Sequence, residues 1–430
     1  MKTDQIQKVH KDWYKLDLSA IVYPTLQRRD FSSVYRLSVL LKEDIDPEIL
    51  QRAVNLTMPR FPTYKAAIRK GVFWRYLEPN DRPGPFVQED VKNPCQPMHF
   101  KGNNRYLVRI YYYRNRIALE AHHSLGDGTG GMCVLQTLTA TYLRLKGHSE
   151  IENGGFVLDI LGIPDPGELE DAYMKYANAK VCPPRPGEKT YRVRGTKEPF
   201  YTLNIIDGIM SVSEVVQVAK SYNATITEYL NSVLLYALMQ KQESEWHLKL
   251  RPVKIAMPVN LRRFFPSRTL RNFITMIYPG IDPRLGEYTF EEIVTQVHNY
   301  MRYYLNEKLL RGDITTNAET QRNPFIRIVP LFIKDLVVRQ FYTKIQDKNS
   351  SAGLTNMGAL KVPETMKPYI ERFDIYMGQP FSTRTNCAIA SFEDILTINF
   401  ASSIAETDVE RLFFRKLVQD GIHVKIESNR

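Results

Sequence analysis

The stretch RIALEAHHSLGDGTGG, Arg116 to Gly131, is the most informative part of this 430-residue chain. If residues 116–123 form a strand, successive side chains point to opposite faces of the sheet. One face then carries three apolar side chains followed by a histidine, namely Ile117, Leu119, Ala121 and His123. The opposite, more polar face carries Arg116, Ala118, Glu120 and His122. The pattern therefore predicts that His123 ends an apolar face beside an interior cavity or seam, and that His122 cannot serve the same site.

The turn after this strand combines a carboxylate with glycines, which make the backbone permissive. Asp127 lies between Gly126 and Gly128. Gly130 and Gly131 are predicted to precede a helix that ends near residue 147, so its first backbone N–H groups are free to bind an anion or a developing oxyanion. A base at a strand end, a carboxylate in the turn and open backbone donors are the components that acyl transfer requires.

Other interpretations of the same residues must be weighed. A single histidine on a strand is more often a hydrogen-bonded structural residue, and a glycine-rich turn is more often only a turn. The His-x-x-x-Asp spacing also occurs in metal sites, but the nearest further candidates, His99 and His148, lack ligand spacing, so we predict no metal. The complete string His-His-x-x-x-Asp-Gly is rare by residue frequency, and this favours the chemical interpretation.

The formal net charge of +11 fits three classes of partner: nucleic acid, an anionic membrane face, or a phosphorylated or acidic substrate or carrier. Nucleic-acid binders concentrate Lys and Arg in a run or along one helix, whereas here these residues are scattered. We therefore expect no nucleic-acid partner. Hydrophobic residues at 43% and charged residues at 24% indicate a folded globular protein.

The four cysteines lie far apart, which argues against a disulfide framework and a cysteine-based zinc site. They are Cys95, Cys133, Cys182 and Cys387. The N-terminal residues lack the apolar stretch of a signal peptide, and no run approaches the roughly eighteen apolar residues of a transmembrane segment. The sequence thus predicts a cytoplasmic protein without a transmembrane segment.

Strand and helix patterns alternate in both halves of the chain, which predicts two α/β domains. We expect an N-terminal domain over residues 1–150, a Pro- and Gly-rich linker over 151–199 and a C-terminal domain over 200–430. The predicted strands are 34–41, 106–113, 116–123, 252–259, 351–355, 384–391 and 395–401. Helices are predicted from Asp46, after Gly131, from the capping box Thr225–Glu228, over 289–310 and 330–345, and from Asp408.

One further segment, FIRIVPLFIKDLVVRQFYTKIQ over residues 325–346, raises the question of membrane-surface binding. Its apolar residues surround too much of a helix for a single interfacial face. The pattern favours an interdomain or core helix.

Three segments carry a resemblance to a known superfamily. HHSLGDG, His122 to Gly128, matches the HHxxxDG motif shared by chloramphenicol acetyltransferase, plant acyl-CoA-dependent acyltransferases, wax ester synthases, alcohol acetyltransferases and condensation domains of nonribosomal peptide synthetases. AMPVNLRRFF, Ala256 to Phe265, resembles the superfamily's strand that ends in an arginine. TNMG, Thr355 to Gly358, resembles its later Ser-Asn-Leu-Gly element. The whole chain is similar to standalone bacterial members described as alcohol acetyltransferase-like or condensation-domain-like.

The resemblance implies two chloramphenicol-acetyltransferase-like α/β domains that form a pseudo-dimer around a central tunnel. It implies that His123 deprotonates the acceptor as general base and that transfer is direct, without an acyl-enzyme. A histidine has its ordinary pKa near the operating pH, and such a base contributes about 10²- to 10⁴-fold to the rate.

The resemblance also implies roles for the residues around the base. Asp127 is expected to be structural and to pair with Arg262, with Arg263 as the alternative partner. Gly128 is expected to offer a backbone donor to the tetrahedral intermediate. Two asparagines are expected to line the tunnel, Asn260 and Asn356.

The implied co-substrate is acyl-CoA, such as acetyl-CoA, or the phosphopantetheine thioester of an acyl carrier protein, and no bound cofactor is expected. The charge of +11 suits either phosphorylated donor. The leading hypothesis is a coenzyme-A-dependent O-acyltransferase acting on an alcohol. The alternatives are a carrier-protein-dependent condensation enzyme that forms an ester or an amide, and an inert binding protein of the same fold. The DFGWG segment of the plant branch is absent, which argues against a plant-type coenzyme A site.

Overall fold

Strands and helices alternate along both halves of the chain. The computed structural model describes residues 13–27, 31–180, 189–199, 202–245, 247, 249–344, 349–378 and 383–430. Within these ranges the strands are β1 (Tyr14–Lys15), β2 (Val34–Leu41), β3 (Ala66–Lys70), β4 (Arg75–Pro79), β5 (Val87–Glu89), β6 (Val108–Tyr113), β7 (Arg116–His122), β8 (Asn204–Ser211), β9 (Val253–Asn260), β10 (Ile274–Ile277), β11 (Gly280–Ile281), β12 (Ala352–Ala359), β13 (Ile370–Met377), β14 (Thr385–Phe392), β15 (Ile395–Ser402) and β16 (Lys425–Ser428). The α-helices are α1 (Tyr23–Leu26), α2 (Pro47–Thr57), α3 (Gly128–Leu145), α4 (Ala172–Tyr176), α5 (Val212–Ser221), α6 (Ile226–Ser244), α7 (Phe290–Tyr304), α8 (Glu307–Arg322), α9 (Pro324–Ile328), α10 (Leu331–Lys344) and α11 (Asp408–Gln419).

The N-terminal half is built on a five-stranded sheet with the order β13-β2-β7-β6-β5. β6 and β7 form the predicted hairpin, and Arg114 in its turn has a positive φ of 49°. β2 pairs antiparallel with the other edge of β7, from Val34 opposite His122 to Leu40 opposite Arg116. Side chains of β2, β7, α2 and α3 share one apolar core. The central position of β7 therefore fixes the orientation of the histidine segment.

The edge strand β13 of this sheet comes from the C-terminal half of the chain. It pairs antiparallel with β2, from Ile370 opposite Leu41 to Met377 opposite Tyr35. No strand was predicted for these residues, in which charged and apolar side chains are mixed. Arg372 and Asp374 are in fact buried and form an ion pair at 3.2 Å. The domain boundaries at 150 and 199 remain a prediction, and residues beyond 200 contribute to both cores.

The C-terminal half contains a larger sheet, ordered β10-β9-β12-β14-β15-β8-β16, with β11 beside β9. Helices α6, α7 and α11 share its apolar core. β12 is parallel to β9, but their pairing is confined to Ala352 and Gly353 opposite Ile255 and Ala256. β12 then continues only along β14. The later part of β12, with Thr355 to Gly358, is thus free of β9.

The described residues of the predicted linker pack against both halves of the chain. The Arg60 guanidinium donates to both carboxylate oxygens of Glu168, at 2.7 and 2.8 Å. The short helix α4 buries Tyr173, whose hydroxyl donates to the Ile274 carbonyl at 2.8 Å. Cys182 lies outside the described residues. The described parts of the connection, residues 151–180 and 189–199, are therefore packed on the rest of the protein.

Residues 330–345 were predicted to form an interdomain or core helix, and the predicted burial of this helix is wrong. α10 forms as expected, but Phe332 is 73% exposed and Leu336, Val337 and Ile333 are exposed as well. Its inner face is held by polar contacts instead of a core, because Asp335 accepts hydrogen bonds from Arg75 and Thr25. Ile345 lies outside the described residues. No helix within the described ranges is long and apolar enough to cross a membrane.

Candidate active site

The turn between β7 and α3 is closed by the side chain of Asp127. This residue is the N-cap of α3, and its Oδ1 accepts from the N–H groups of Thr129 and Gly130 at 3.1 and 3.2 Å. The helix starts at Gly128 and not after Gly131, so the sequence prediction placed its beginning too late. Two of the first N–H groups are therefore satisfied by the cap. Within the described part of the chain, the Gly128 N–H donates to no protein acceptor and remains the open donor.

The glycines of the first turn of α3 allow close approach of neighbouring segments. A Cβ atom on Gly130 would lie 1.9 Å from the Leu270 carbonyl oxygen. One on Gly131 would lie 2.6 Å from the hydroxyl of Tyr35. Neither glycine has a positive φ, so their role is steric. They bring the β9–β10 connection and strand β2 against the histidine turn.

His123 follows the last residue of β7, and its ring lies between two tyrosines. The Tyr23 ring stacks on it at 4.7 Å between centroids, and the Tyr35 ring lies at 4.6 Å with a 52° tilt. The backbone is fixed on both sides, since the His123 N–H donates to the Ser33 carbonyl and its own carbonyl accepts from Asn272 Nδ2. The residue is partly exposed. Its Nδ1 is buried and has no partner among the described residues, so the accessible ring nitrogen is Nε2.

The surroundings of His123 keep its imidazole neutral. Burial lowers the pKa of His123 to about 4, and the nearby carboxylate of Asp127 offsets only part of this effect. The sequence-based expectation of a pKa near the operating pH is therefore corrected downward. Around neutral pH the ring can accept a proton without first having to lose one. The shift also makes the free imidazole a weaker base.

His122 lies in a different environment, on the opposite face of β7. It is fully buried, its Nδ1 accepts from the Ser124 N–H at 3.2 Å, and its ring meets Phe100 edge-on at 5.5 Å. Burial lowers the pKa of His122 to about 3. The face predicted to be polar is covered, and Glu120 on it is buried beside Arg36 and Arg109. The two histidines therefore do not share a site.

Asp127 is connected to the C-terminal half through Arg262. The Arg262 Nη1 lies 2.8 Å from Asp127 Oδ2, and Nη2 lies 3.3 Å from Oδ1. Oδ2 also accepts from the Phe273 N–H at 2.9 Å, and Arg262 Nε donates to the Thr269 carbonyl. Arg263, the alternative partner, is exposed and lies near Gly358. These partners engage both carboxylate oxygens of Asp127.

The two asparagines expected in the tunnel are both partly exposed. Asn260 Nδ2 donates to Thr129 Oγ1 at 3.2 Å, which places it beside the first turn of α3. Asn356 Nδ2 donates to Thr227 Oγ1, and its Oδ1 accepts from the Gly358 N–H. The next residue of β12, Met357, lies opposite Gly128, with its sulfur 3.1 Å from the position of a Cβ there. The structure thus brings the two later motifs against the histidine turn.

The sequence-based analysis missed three residues of the site: Tyr23, Tyr35 and Asn272. Tyr35 lies opposite Ala121 in the β2–β7 ladder and therefore on the face of His123, so the strand register was the signal that could have identified it. Tyr23 and Asn272 are about a hundred or more residues from His123 along the chain, and no local pattern marks them. Among the described residues, no group of three or more His, Cys, Asp and Glu side chains is placed to hold a metal ion.

Comparisons with known proteins give matches in structure but not in sequence. No family model and no curated protein matches the chain. The starter condensation domain of rhizomide synthetase, solved with C8-CoA, is 11% identical, with a TM-score of 0.59 over 98% of this chain and 100% of that chain. Polyketide synthase associated protein 5 from Mycobacterium tuberculosis is 13% identical, with a TM-score of 0.58 over 94% of this chain and 97% of that chain. The trichothecene 15-O-acetyltransferase TRI3 from Fusarium sporotrichioides is 14% identical, with a TM-score of 0.53 over 95% of this chain and 94% of that chain.

These matches extend over both halves of the chain, and the identities below 15% leave the fold as the shared property. The expected α/β architecture is confirmed, as is the structural resemblance that the three motifs indicated. The chain has the fold that these condensation-domain and acyltransferase structures share.

Proposed function

We propose that this protein is an acyltransferase that moves an acyl group from a thioester to a hydroxyl or amine, with His123 as the general base. The observation that carries the proposal is the state of His123 itself. It is partly exposed, held between Tyr23 and Tyr35, and neutral, and the turn that follows it carries the open N–H of Gly128. The superfamily fold supports the same assignment by analogy.

The proposed reaction uses these groups in one direct transfer. The acceptor hydroxyl gives its proton to Nε2 of His123 while its oxygen forms a bond to the thioester carbonyl carbon. The Gly128 N–H donates to the resulting oxyanion. When the C–S bond breaks, the thiolate leaves and takes the proton back from the imidazolium. Asp127 and Arg262 hold the turn in position and do not touch the reacting atoms.

We propose acyl-CoA as the donor and an alcohol as the acceptor. Two observations support this choice: the net charge of +11, which suits a phosphorylated donor, and the presence of C8-CoA in one of the similar structures. The phosphopantetheine arm of a carrier protein has the same reactive thioester and is the second candidate. It would make the protein a condensation enzyme that forms an ester or an amide.

The decisive experiment measures thiol release. The protein is incubated with acetyl-CoA, longer acyl-CoAs or an acylated carrier protein, each with a panel of alcohols and amines. Acceptor-dependent release of coenzyme A that is absent in His123→Ala supports the proposal. Release from the carrier protein alone would select the condensation enzyme. If no donor is consumed although acyl-CoA binds, the protein is a binding protein of this fold.

A further inference from the structure

Large apolar side chains are exposed together on one side of the molecule. They belong to the β3–β4 turn, to α9 and to the outer face of α10, and we call them the apolar surface. Val72 is 71% exposed, Phe325 is 77% exposed and Phe332 is 73% exposed. Its main members are Val72, Trp74, Phe325, Ile328, Phe332 and Leu336. Solvent-exposed apolar patches of this kind mark interaction surfaces.

The apolar surface is continuous, because its segments are hydrogen-bonded to each other. The Leu331 N–H at the start of α10 donates to the Val72 carbonyl at 2.9 Å. Lys334 Nζ donates to the carbonyls of Phe73 and Arg327, at 2.9 and 3.1 Å. The β3–β4 turn, α9 and α10 therefore form one platform.

The platform is also held to the rest of the protein by contacts on the inner face of α10. Asp335 on the inner face of α10 accepts from Arg75 at 2.8 and 2.6 Å and from the Thr25 hydroxyl at 2.8 Å. Arg339 Nε donates to the Thr25 carbonyl. These contacts fix which side of α10 faces outward, so its apolar face stays exposed while the polar side chains are engaged.

The charges around the apolar surface identify the kind of partner. Residues 321–344 contain five basic residues and one acidic residue, Asp335, whose carboxylate is already paired. Lys70, Arg322 and Arg327 are exposed at its margin. A second copy of the chain would bring the same positive charges and be repelled. Aromatic and aliphatic side chains bordered by cations fit the interface of an anionic bilayer, where the apolar groups enter the acyl boundary and the cations meet the headgroups.

We propose that the apolar surface docks on an anionic lipid bilayer, with α10 lying in the plane of the interface. The β3–β4 turn contributes Trp74, a residue type favoured at the membrane–water boundary. This inference goes beyond the proposed acyl transfer and does not depend on it, because it uses none of the residues of the histidine turn.

The test is flotation of the full-length protein with phosphatidylcholine vesicles, with and without about 30 mol % phosphatidylserine. The protein should bind the anionic vesicles about tenfold more strongly than the neutral ones and should dissociate as salt is raised. The variant Phe332→Ser/Leu336→Ser should lose about tenfold in binding, and Arg322→Gln/Arg327→Gln should lose several-fold. Leu285→Ser is the matched control, since Leu285 is 79% exposed but lies outside the surface, and it should bind like the wild type.

Failure to bind anionic vesicles overturns the proposal, as does an equal loss in the Leu285→Ser control. A dimer in sedimentation that Phe332→Ser/Leu336→Ser dissociates would also overturn it, by showing that a second copy covers the surface. His123→Ala should float like the wild type, so failure of the proposed catalysis and failure of docking are separate results.

Discussion

His122 and His123 are neighbours in the chain whose side chains experience different surroundings. The direction of a strand places one ring in a sealed pocket beside Phe100 and the other in a partly open space between Tyr23 and Tyr35. The sealed ring accepts a hydrogen bond from the Ser124 backbone, whereas the open ring is held by contacts with two tyrosine rings, and its Nδ1 has no hydrogen-bond partner among the described residues. Their substitutions should therefore have opposite consequences.

Replacing His123 by Ala should remove transfer by at least about 10²-fold, because the base is lost. It should lower stability by only about 1 kcal/mol, the typical contribution of an aromatic contact. Replacing His122 by Ala should cost more stability, about 2–3 kcal/mol, since it opens a cavity and leaves the Ser124 N–H without its acceptor. Thiol-release rates and urea unfolding check the two effects, and the reverse order would refute the strand-parity argument.

The pH dependence follows from the lowered pKa of His123. A base must be neutral, and a pKa of about 4 keeps it neutral far below the ordinary value of 6.5. We expect kcat/KM of the free enzyme to stay flat from pH 8 to about pH 5. Half-maximal activity near pH 6.5 in a pH–rate profile would show that His123 is not desolvated as the structure describes.

The same shifts affect folding. Both histidines bind protons more weakly in the folded than in the unfolded chain. Their contribution to the free energy of unfolding is therefore fully present above about pH 6.5, and it is lost as the pH drops toward the pKa values of the folded state. Urea unfolding at pH 7 and pH 5 should show a smaller difference for His122→Phe than for the wild type, because one of the two groups no longer titrates. An unchanged difference would count against a depressed pKa of His122.

At the scale of elements, the N-terminus of α3 is where three parts of the chain meet. Asp127 caps the helix, pairs with Arg262 after β9 and accepts from the Phe273 backbone just before β10. This one carboxylate therefore connects an element of the N-terminal half to two elements of the C-terminal half. Loss of this carboxylate should therefore destabilise all three elements.

Asp127→Asn and Arg262→Ala should each lower stability by about 2–4 kcal/mol and reduce activity together with it, since each leaves a largely buried partner unpaired. The double variant should be little worse than either single one, with a coupling of at least about 1 kcal/mol. Arg263→Ala is the matched control on an exposed neighbour and should change little. Additive losses in the double-mutant cycle would contradict the pairing.

Gly130→Ala should destabilise the protein, although alanine is ordinarily better than glycine in a helix by about 1 kcal/mol. The added Cβ would meet the Leu270 carbonyl oxygen at 1.9 Å, and a backbone atom cannot move aside cheaply. We expect a loss of about 3 kcal/mol in urea unfolding. The control Gly102→Ala, where a Cβ meets only ordinary contacts from 3.4 Å, should stay within about 0.5 kcal/mol. Equal stability of both variants would show that the turn is less tightly packed.

At the scale of the whole molecule, the sequence predicted the elements whose formation depends on residues close together in the chain. The β6–β7 hairpin, the capping box at Thr225 and strand β9 follow from periodicity and capping within short windows. β13 and the setting of His123 could not be predicted this way, because they depend on partners that lie far away along the chain. The buried charges Arg372 and Asp374 read as surface until the distant Glu427 that pairs with Arg372 is known. The exposure of α10 was also not predicted. Its sequence resembles that of a core helix, but its apolar side chains are exposed.

The net charge of +11 is also a property of the whole molecule, and it predicts a response to salt. If the charge serves a phosphorylated donor, raising ionic strength should increase the KM for that donor and leave the KM for a neutral alcohol nearly unchanged. A carrier protein should show a larger effect than coenzyme A, through its association rate. Initial rates at several salt concentrations, with each substrate varied in turn, measure this. An equal change in the KM of both substrates would show that the net charge does not contribute to donor binding.

Strand β13 comes from the C-terminal half and completes the N-terminal sheet, and this limits which fragments of the protein can be expressed separately. A fragment ending anywhere before residue 370 would expose the whole edge of β2, whose residues from Val34 to Val39 are buried in the intact chain. An open, apolar strand edge of that length recruits other strands, so such a fragment should be recovered in inclusion bodies. The complementary piece would carry β13 with no sheet to complete. When the two pieces are co-expressed, they should reassemble, because β13 of one piece pairs with the exposed β2 edge of the other.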